Sequence, residues 1–247
     1  MKAFFTMLKN EIKLSLRDMN MVIFAVLMPL AVLAVLGIIY KSKPAFDGAD
    51  YTFAEQSFGA LCAISGCAGG LMGLPITVSE LRERKILKRY RVTPMSPVLL
   101  LAAELAVFML YALVSMLTLL AATAIFWSFP IHGSAAAFIG SWLLTLVSTL
   151  SIGLLVGGIA KNTKQAGVIA SILYFPMLIF SGTTLPIEVM PEVMRKIVGV
   201  FPLTQGIELM KATSLNAPME NIWLPIAVMA FVTVVCSTLS VIFFKWE

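Results

Sequence analysis

The sequence is poor in charged residues. Asp, Glu, Lys and Arg make up only 13% of the 247 residues, whereas 60% are hydrophobic. An ordinary soluble domain carries about 25% charged residues, so this composition excludes a typical soluble fold. At about 20 to 25 residues per crossing, the length accommodates six helical spans but no separate soluble domain. We therefore expect an all-α polytopic membrane protein that forms one domain over residues 1–247.

Residues that build catalytic or metal sites are also scarce. His132 is the only histidine, and Cys62, Cys67 and Cys236 fall inside apolar stretches where a disulfide framework is not expected. The sequence contains no G-x-x-x-x-G-K-[ST] phosphate loop, no H-E-x-x-H motif and no cluster at metal-ligand spacing. We expect no metal, no bound cofactor and no catalytic residue, with buried cysteines and a solvated histidine.

Long apolar segments account for most of the chain. The first of them has 20 consecutive residues without a charge. Six spans are predicted, at about 21–40, 54–78, 98–126, 135–160, 166–185 and 223–244.

The basic residues are distributed unevenly between the two sides of these spans. The net charge is +5, and 13 of the 18 Lys and Arg residues fall on the side that carries both termini. The positive-inside rule therefore predicts that both termini are cytoplasmic. Because the basic residues flank apolar segments, membrane lipid is a more suitable acidic partner than nucleic acid.

Residues 1–18 are predicted to form an interfacial helix. At about 100° per residue, an apolar arc lies beside a basic arc, as in helices that rest on lipid headgroups. The apolar arc holds Phe4, Phe5, Leu8, Ile12 and Leu16, and the basic arc holds Lys2, Lys9, Lys13 and Arg17. The alternative is a basic tail that only sets the membrane topology.

The segment 79–97 is the most charged part of the chain. Glu80 and Glu83 lie in the first turn of a predicted helix, and Lys88 and Arg89 lie near its end. The helix macrodipole favours this order of charges, and a following Thr-Pro pair would end the helix. The pattern indicates a short helix that docks onto another protein. The alternative is that the positive-inside bias alone explains the charges.

This segment resembles the loop after the second span in permease subunits of type-2 ABC exporters of the drug and antibiotic efflux branch. Lys85 and Ile86 depart from that family, which usually has Gly and Thr there. The resemblance implies a coupling helix that contacts a cytoplasmic ATP-binding subunit. The matching positions include Glu83, Leu87, Lys88, Arg89, Thr93, Pro94 and Ser96, and the implied coupling residues are Glu80, Glu83, Arg84, Leu87, Lys88, Arg89, Thr93 and Pro94.

A second resemblance to the same family lies at 182–213. Leu185-Pro186, Pro191 and Pro202-Leu203-Thr204 match its proline pattern. Proline suits the first turn of a helix, so we expect two short re-entrant-like helices between spans five and six.

The resemblance implies a bacterial cytoplasmic-membrane subunit that has no ATP site and pairs with a second permease copy or homologue. Together with a separate ATPase, it would export an amphipathic drug, antibiotic or lipid-like substrate. The alternatives are an ion-gradient-driven transporter and a membrane immunity or assembly protein.

Small and acidic residues within the spans have more than one interpretation. Gly66-x-x-x-Gly70, Gly69-x-x-x-Gly73 and Gly153-x-x-x-Gly157 predict close helix packing, either internal or between two copies. Glu55 and Glu104 lie near the ends of predicted spans. We expect them to contact the interface, with substrate contact as the alternative.

Overall fold

The computed structural model describes residues 2–17, 22–40, 44, 51–90, 97–126, 132–180, 191–216, 219 and 221–244. Regular structure in these ranges is helical, apart from one isolated bridge between Pro44 and Thr52. The prediction of an all-α fold is confirmed. The predicted coupling residues Thr93 and Pro94 lie outside the described residues, as does Leu185-Pro186.

Eleven α-helices are described, and two short π-helical segments join or precede them. The first six are α1 (Lys2–Ser15), α2 (Met28–Tyr40), α3 (Phe53–Cys67), α4 (Leu74–Glu83), α5 (Ile86–Tyr90) and α6 (Pro97–Phe126). The other five are α7 (Ala135–Ile159), α8 (Thr163–Phe180), α9 (Glu192–Val198), α10 (Pro202–Leu215) and α11 (Trp223–Phe243). The π-helical segments are Ile23–Leu27 and Ala68–Gly73.

Within the described ranges, five helices are long and apolar enough to cross a membrane. They are Glu55–Glu83, in which α3 and α4 are continuous, together with α6, α7, α8 and α11. The first predicted span is a shorter apolar helix, Ala25–Tyr40. The second predicted span continues to Glu83 instead of ending at residue 78, so part of the predicted docking loop belongs to the span.

Each π-helical segment ends two residues before a proline. The N–H of Leu74 bonds to the carbonyl of Gly69, five residues back, and that of Met28 bonds to Ile23 in the same way. Pro29 and Pro75 follow at the next position. A proline has no N–H and its ring crowds the carbonyl four residues earlier. The wider π turn relieves that crowding, so the helices continue through both prolines.

The centre of the bundle is formed by α7 and the α3–α4 rod. In each of these two elements, 67% of the most apolar 18-residue stretch is buried. The corresponding share is 11% in α11 and 17% in α8. Phe58 and Phe138 stack across this centre with ring centroids 5.6 Å apart. The outer helices turn large apolar side chains outward, as a bilayer solvent permits.

Glycines bring the two central helices into backbone contact. A Cβ on Gly153 would overlap the carbonyl oxygen of Gly70, and one on Gly157 would lie 2.8 Å from the Cβ of Val78. The prediction of close packing is confirmed at these three glycines, and their contact is internal to the chain.

The amino-terminal helix α1 packs along α6. Met7 is buried, and the hydroxyl of Ser15 donates a hydrogen bond to the Tyr111 hydroxyl at 2.7 Å. Phe5 and Leu16 of the predicted apolar arc are 64% and 58% exposed, so this arc does not form the face that packs on α6, and its contact with lipid headgroups stays a prediction. The neighbour α6 decides which side is covered, and the periodicity of α1 alone does not contain that information.

Candidate functional site

The chain makes a sharp break where one docking helix was predicted. Glu80 and Glu83 lie in the last turn of α4, and α5 begins only at Ile86. Lys85, between the two helices, has a left-handed backbone with φ of 57°. The prediction that both glutamates begin the helix was therefore wrong. The break falls where the resembling family usually carries glycine, the residue that adopts this conformation without strain. We call this end of the bundle the basic end.

Arg82 ties the end of α4 to the end of α7. Its guanidinium donates hydrogen bonds to the carbonyl oxygens of Gly157, at 2.9 Å, and Ala160, at 2.6 Å. The side chain is only 7% exposed, and it lies 5.9 Å from the ring centre of Phe244. The last carbonyls of a helix have no partner within the helix and carry partial negative charge. The Arg82 guanidinium supplies hydrogen-bond donors to these carbonyls and a positive charge that compensates their partial negative charge.

Glu83 makes the complementary contact with the start of α8. Its carboxylate accepts hydrogen bonds from the backbone N–H and the hydroxyl of Thr163, both at 3.0 Å. A helix start carries partial positive charge, which a carboxylate stabilises. Arg82 and Glu83 together form what we call the Arg82–Glu83 anchor, which holds α4 to α7 and α8. Arg82 was missed from the sequence, because its partners lie 75 and 78 residues away.

The other predicted coupling residues divide into buried and exposed groups. Leu87 is 1% exposed and fixes α5 to the hydrophobic core. Lys88 and Arg89 are exposed. Glu80 and Arg84 form an exposed ion pair of 2.7 Å at the end of α4. The basic end therefore presents a charged surface, which we call the α5 surface, made by Glu80, Arg84, Lys88 and Arg89.

Glu55 caps the start of α3 at the other end of the bundle. The Glu55 N–H donates to the hydroxyl of Thr52 at 3.3 Å, and the Thr52 N–H donates back to the Glu55 carboxylate at 2.5 Å. Such a capping box stabilises a helix start. His132, which was expected to be merely solvated, lies 3.8 Å from the same carboxylate. Glu55 therefore stabilises the start of α3, and its interfacial role stays a prediction.

Glu104 is covered by another part of the chain. It is 6% exposed in α6 and shares a hydrogen bond with Glu11 of α1. The expectation of a headgroup contact is therefore wrong for this residue. The reason is that α1 lies over the beginning of α6 and separates the carboxyl group from the surface. Glu104 helps to seat the amino-terminal helix.

A further set of buried polar groups belongs to α7 and α10. The hydroxyls of Ser148 and Thr204 and the carbonyl oxygen of the Gln205 side chain have no hydrogen-bond partner among the residues that the structure describes. Of these three residues, only Thr204 belongs to a motif that is recognisable in the sequence, Pro202-Leu203-Thr204. Among the described residues, no group of His, Cys, Asp and Glu could hold a metal ion.

The chain is similar to two named bacterial proteins. It is 28% identical over 158 residues to the inner membrane transport permease YhhJ of Escherichia coli K12, which covers 62% of this chain and 42% of the relative. It is 28% identical over 92 residues to nodulation protein J of Rhizobium leguminosarum bv. viciae, which covers 37% of this chain and 36% of the relative. The matched region thus spans well under half the length of each of these relatives.

A family comparison reaches further along the chain. The model of the ABC-2 type transporter family matches residues 2–215, from the start of α1 to the end of α10. The match includes the Arg82–Glu83 anchor, the α5 surface and the buried polar groups. Members of the family are the membrane-spanning components of ABC transporters and lack an ATPase site of their own. The resemblance to type-2 ABC permeases is thereby confirmed at the level of the family, and the chain belongs to the ABC-2 type transporter family.

Proposed function

We propose that the chain is the permease subunit of an ATP-driven exporter in the bacterial cytoplasmic membrane, with both termini cytoplasmic. Its substrate would be an amphipathic drug, antibiotic or lipid-like molecule. A cytoplasmic ATP-binding subunit would supply ATP hydrolysis, and a second permease copy or homologue would complete the transport path. The observation that carries the proposal is the α5 surface, because exposed charges stand on a helix fixed to the bundle by the buried Leu87.

The connections of α5 suit the transmission of force. Glu83 is two residues before Lys85, so a push on α5 reaches the Arg82–Glu83 anchor through a very short link. The anchor joins α4 to the end of α7 and the start of α8. Movement of α5 would therefore displace three helices together, as a rigid-body switch between two states requires.

The composition of the helices supports an amphipathic substrate. α7 and α11 contain no charged residue along their described lengths. An ion-gradient-driven transporter would require ionisable groups near the middle of such spans. The exposed apolar and basic arcs of α1 support a contact with membrane lipid.

The test is charge reversal of Lys88 and Arg89 in the complex co-expressed with its ATP-binding subunit. We expect K88E/R89E to reach the membrane at normal levels but to lose co-purification or substrate-stimulated ATP hydrolysis. The control is Lys196→Glu, which reverses an exposed charge paired with Glu192 on α9. Wild-type assembly and turnover in K88E/R89E would remove the α5 surface from the coupling mechanism.

Glu83 and Leu87 are unsuitable for this test. Glu83→Lys would bring a positive charge to the start of α8, where Thr163 now donates two hydrogen bonds to a carboxylate. Leu87→Asp would bury a charge in the core. Both changes would disturb the bundle whether or not α5 contacts another protein.

A further inference from the structure

The start of α10 is a buried helix end without a cap. Phe201 precedes the helix and offers no side-chain hydrogen bond, and Pro202 has no N–H. The N–H of Gln205 bonds to the carbonyl of Phe201 at 3.1 Å, so those of Leu203 and Thr204 lie before this first helical bond. Leu203 and Thr204 are at most 1% exposed. A buried helix start needs hydrogen-bond acceptors, and it carries partial positive charge.

Buried polar side chains accompany this helix start. Thr204 is 1% exposed and Gln205 is 5% exposed, and the Thr204 hydroxyl and the Gln205 side-chain oxygen lack partners within the described part of the chain. The Gln205 side-chain amide donates to the carbonyl of Gly199 at 2.6 Å, which turns it toward the start of α10. Buried polar atoms in proteins are almost always hydrogen-bonded, so these atoms indicate a ligand or ordered water.

The register of α10 against α7 brings Ser148 to the same depth. Gly206 packs so closely on Thr145 that a Cβ would overlap its side chain, and the hydroxyls of Thr213 and Ser141 are 3.2 Å apart. The two helices are therefore antiparallel. Ser148 lies one turn after Thr145 on α7, and the start of α10 lies one turn before Gly206. In antiparallel helices these two positions are at the same level.

This level lies near the middle of α7. At 1.5 Å per residue, Ser148 is about 20 Å along the helix from Ala135 and about 16 Å from Ile159. Its hydroxyl is fully buried and, within the described ranges, has no hydrogen-bond partner.

We infer that the start of α10 and Ser148 form a site for the neutral polar group of an amphipathic substrate, such as a hydroxyl or amide. The site would hold that group at the level of the bilayer centre. This inference rests on the proposed function, because it names the substrate class that the permease would carry.

The chemistry of the site selects a neutral group. The backbone N–H groups of Leu203 and Thr204 are donors, the Gln205 oxygen is an acceptor, and the two hydroxyls can act as either. A substrate hydroxyl or amide both donates and accepts, so it matches the set. α7 and the first turn of α10 contain no charged residue. An ionic group would therefore be desolvated without an opposite charge, which costs far more than burying a hydroxyl.

The experiment uses the full chain in phosphatidylcholine nanodiscs and needs no ATP-binding subunit. Thermal unfolding is followed with a thiol-reactive dye in the Cys236→Ala background, because Cys62 and Cys67 are buried and become reactive only on unfolding, whereas Cys236 is half-buried. The nanodiscs are titrated with a monoacylglycerol, which carries a neutral diol. The comparison probes are the methyl ester and the phosphate monoester with the same acyl chain. A ligand that binds the folded state raises the unfolding midpoint.

We expect the monoacylglycerol to raise the midpoint more than either comparison probe. Ser148→Ala and Thr204→Val should each raise its half-effective concentration by about two- to tenfold, the effect of one hydrogen bond. Ser151→Ala and Thr213→Val are matched controls on the same helices, because these hydroxyls already donate to the carbonyls of Ser148 and Leu209. Their titrations should follow wild type.

Three results would overturn the inference. Equal responses to the diol and the methyl ester, or unchanged titrations in S148A and T204V, would mean that water alone satisfies the buried atoms. A stronger response to the phosphate monoester would assign the site to anions. None of these results depends on ATP coupling, so failure of this site and failure of the α5 surface are distinguishable.

Discussion

Individual glycines and prolines determine how the two central helices pack against each other. Pro75 cannot donate to a carbonyl of the preceding turn, and the π-helical segment before it contains Gly70. The Gly70 carbonyl oxygen faces Gly153, where only a hydrogen atom fits. The glycine spacing in the sequence predicts close packing, but it does not identify the partner. Gly70 and Gly153 are far apart in the sequence, and a local spacing of glycines does not indicate which distant helix each one contacts.

Replacing Gly153 with alanine should strongly destabilise the fold. The new Cβ would overlap the Gly70 carbonyl oxygen, so two backbones would have to separate. Overpacking of a close contact costs about 1 to 3 kcal/mol, and a backbone clash lies at the upper end of that range or above it. The measurement is the thermal unfolding midpoint in nanodiscs.

The matched control is Gly140→Ala on the same helix, where a Cβ would meet nothing within 4 Å. Alanine is a better helix former than glycine by about 1 kcal/mol, so this variant should be unchanged or more stable. A normal midpoint in G153A would contradict the close approach of the two helices.

At the level of helices, charged side chains join ends that are distant in the sequence. The composition of 79–97 predicts one helix running from acidic to basic residues, and the structure divides it at Lys85. A lysine with a left-handed backbone is disfavoured by about 1 to 2 kcal/mol, so local preference argues against a break there. The break becomes favourable because Arg82, Glu83 and Leu87 all reach partners elsewhere in the bundle. The charge pattern of the sequence marks this segment as a candidate docking helix, but tertiary contacts determine where the helix breaks.

Arg82 should contribute more to stability than its neighbour Arg84. Arg82→Met removes hydrogen bonds to two carbonyls at the end of α7. A hydrogen bond to a charged group contributes about 1.5 to 3 kcal/mol to the free energy of unfolding. Arg84→Met removes only an exposed ion pair with Glu80, worth about 0 to 1 kcal/mol. The thermal midpoint of the full chain in nanodiscs measures both. A smaller loss for R82M than for R84M would show that the anchor does not hold α4 to α7.

For the whole molecule, hydropathy predicts the spans well because a bilayer leaves a spanning backbone few options. The six predicted segments overlap five long apolar helices and one shorter one. The short helices between the last two spans were expected from their prolines, and α9 and α10 are both present. Their burial differs, because Glu192, Val193 and Ile197 of α9 are exposed whereas most of α10 is buried. Proline positions mark where such helices start, but burial depends on the surrounding helices and cannot be deduced from them.

The orientation of the molecule is a prediction that rests on charge asymmetry alone. Cysteine replacements at Lys88 and Glu192 test it, because both side chains are exposed and they lie at opposite ends of the predicted topology. In intact cells, an impermeant thiol reagent should label the Glu192→Cys variant and should label Lys88→Cys only after the membrane is opened. The background is low because Cys62 and Cys67 are buried, and the half-buried Cys236 can be replaced with alanine. With 13 of 18 basic residues on one side, the positive-inside rule gives a clear expectation. Labelling of Lys88→Cys in intact cells would put the α5 surface outside, where no ATP-binding subunit could reach it, and the proposed coupling would fail with the orientation.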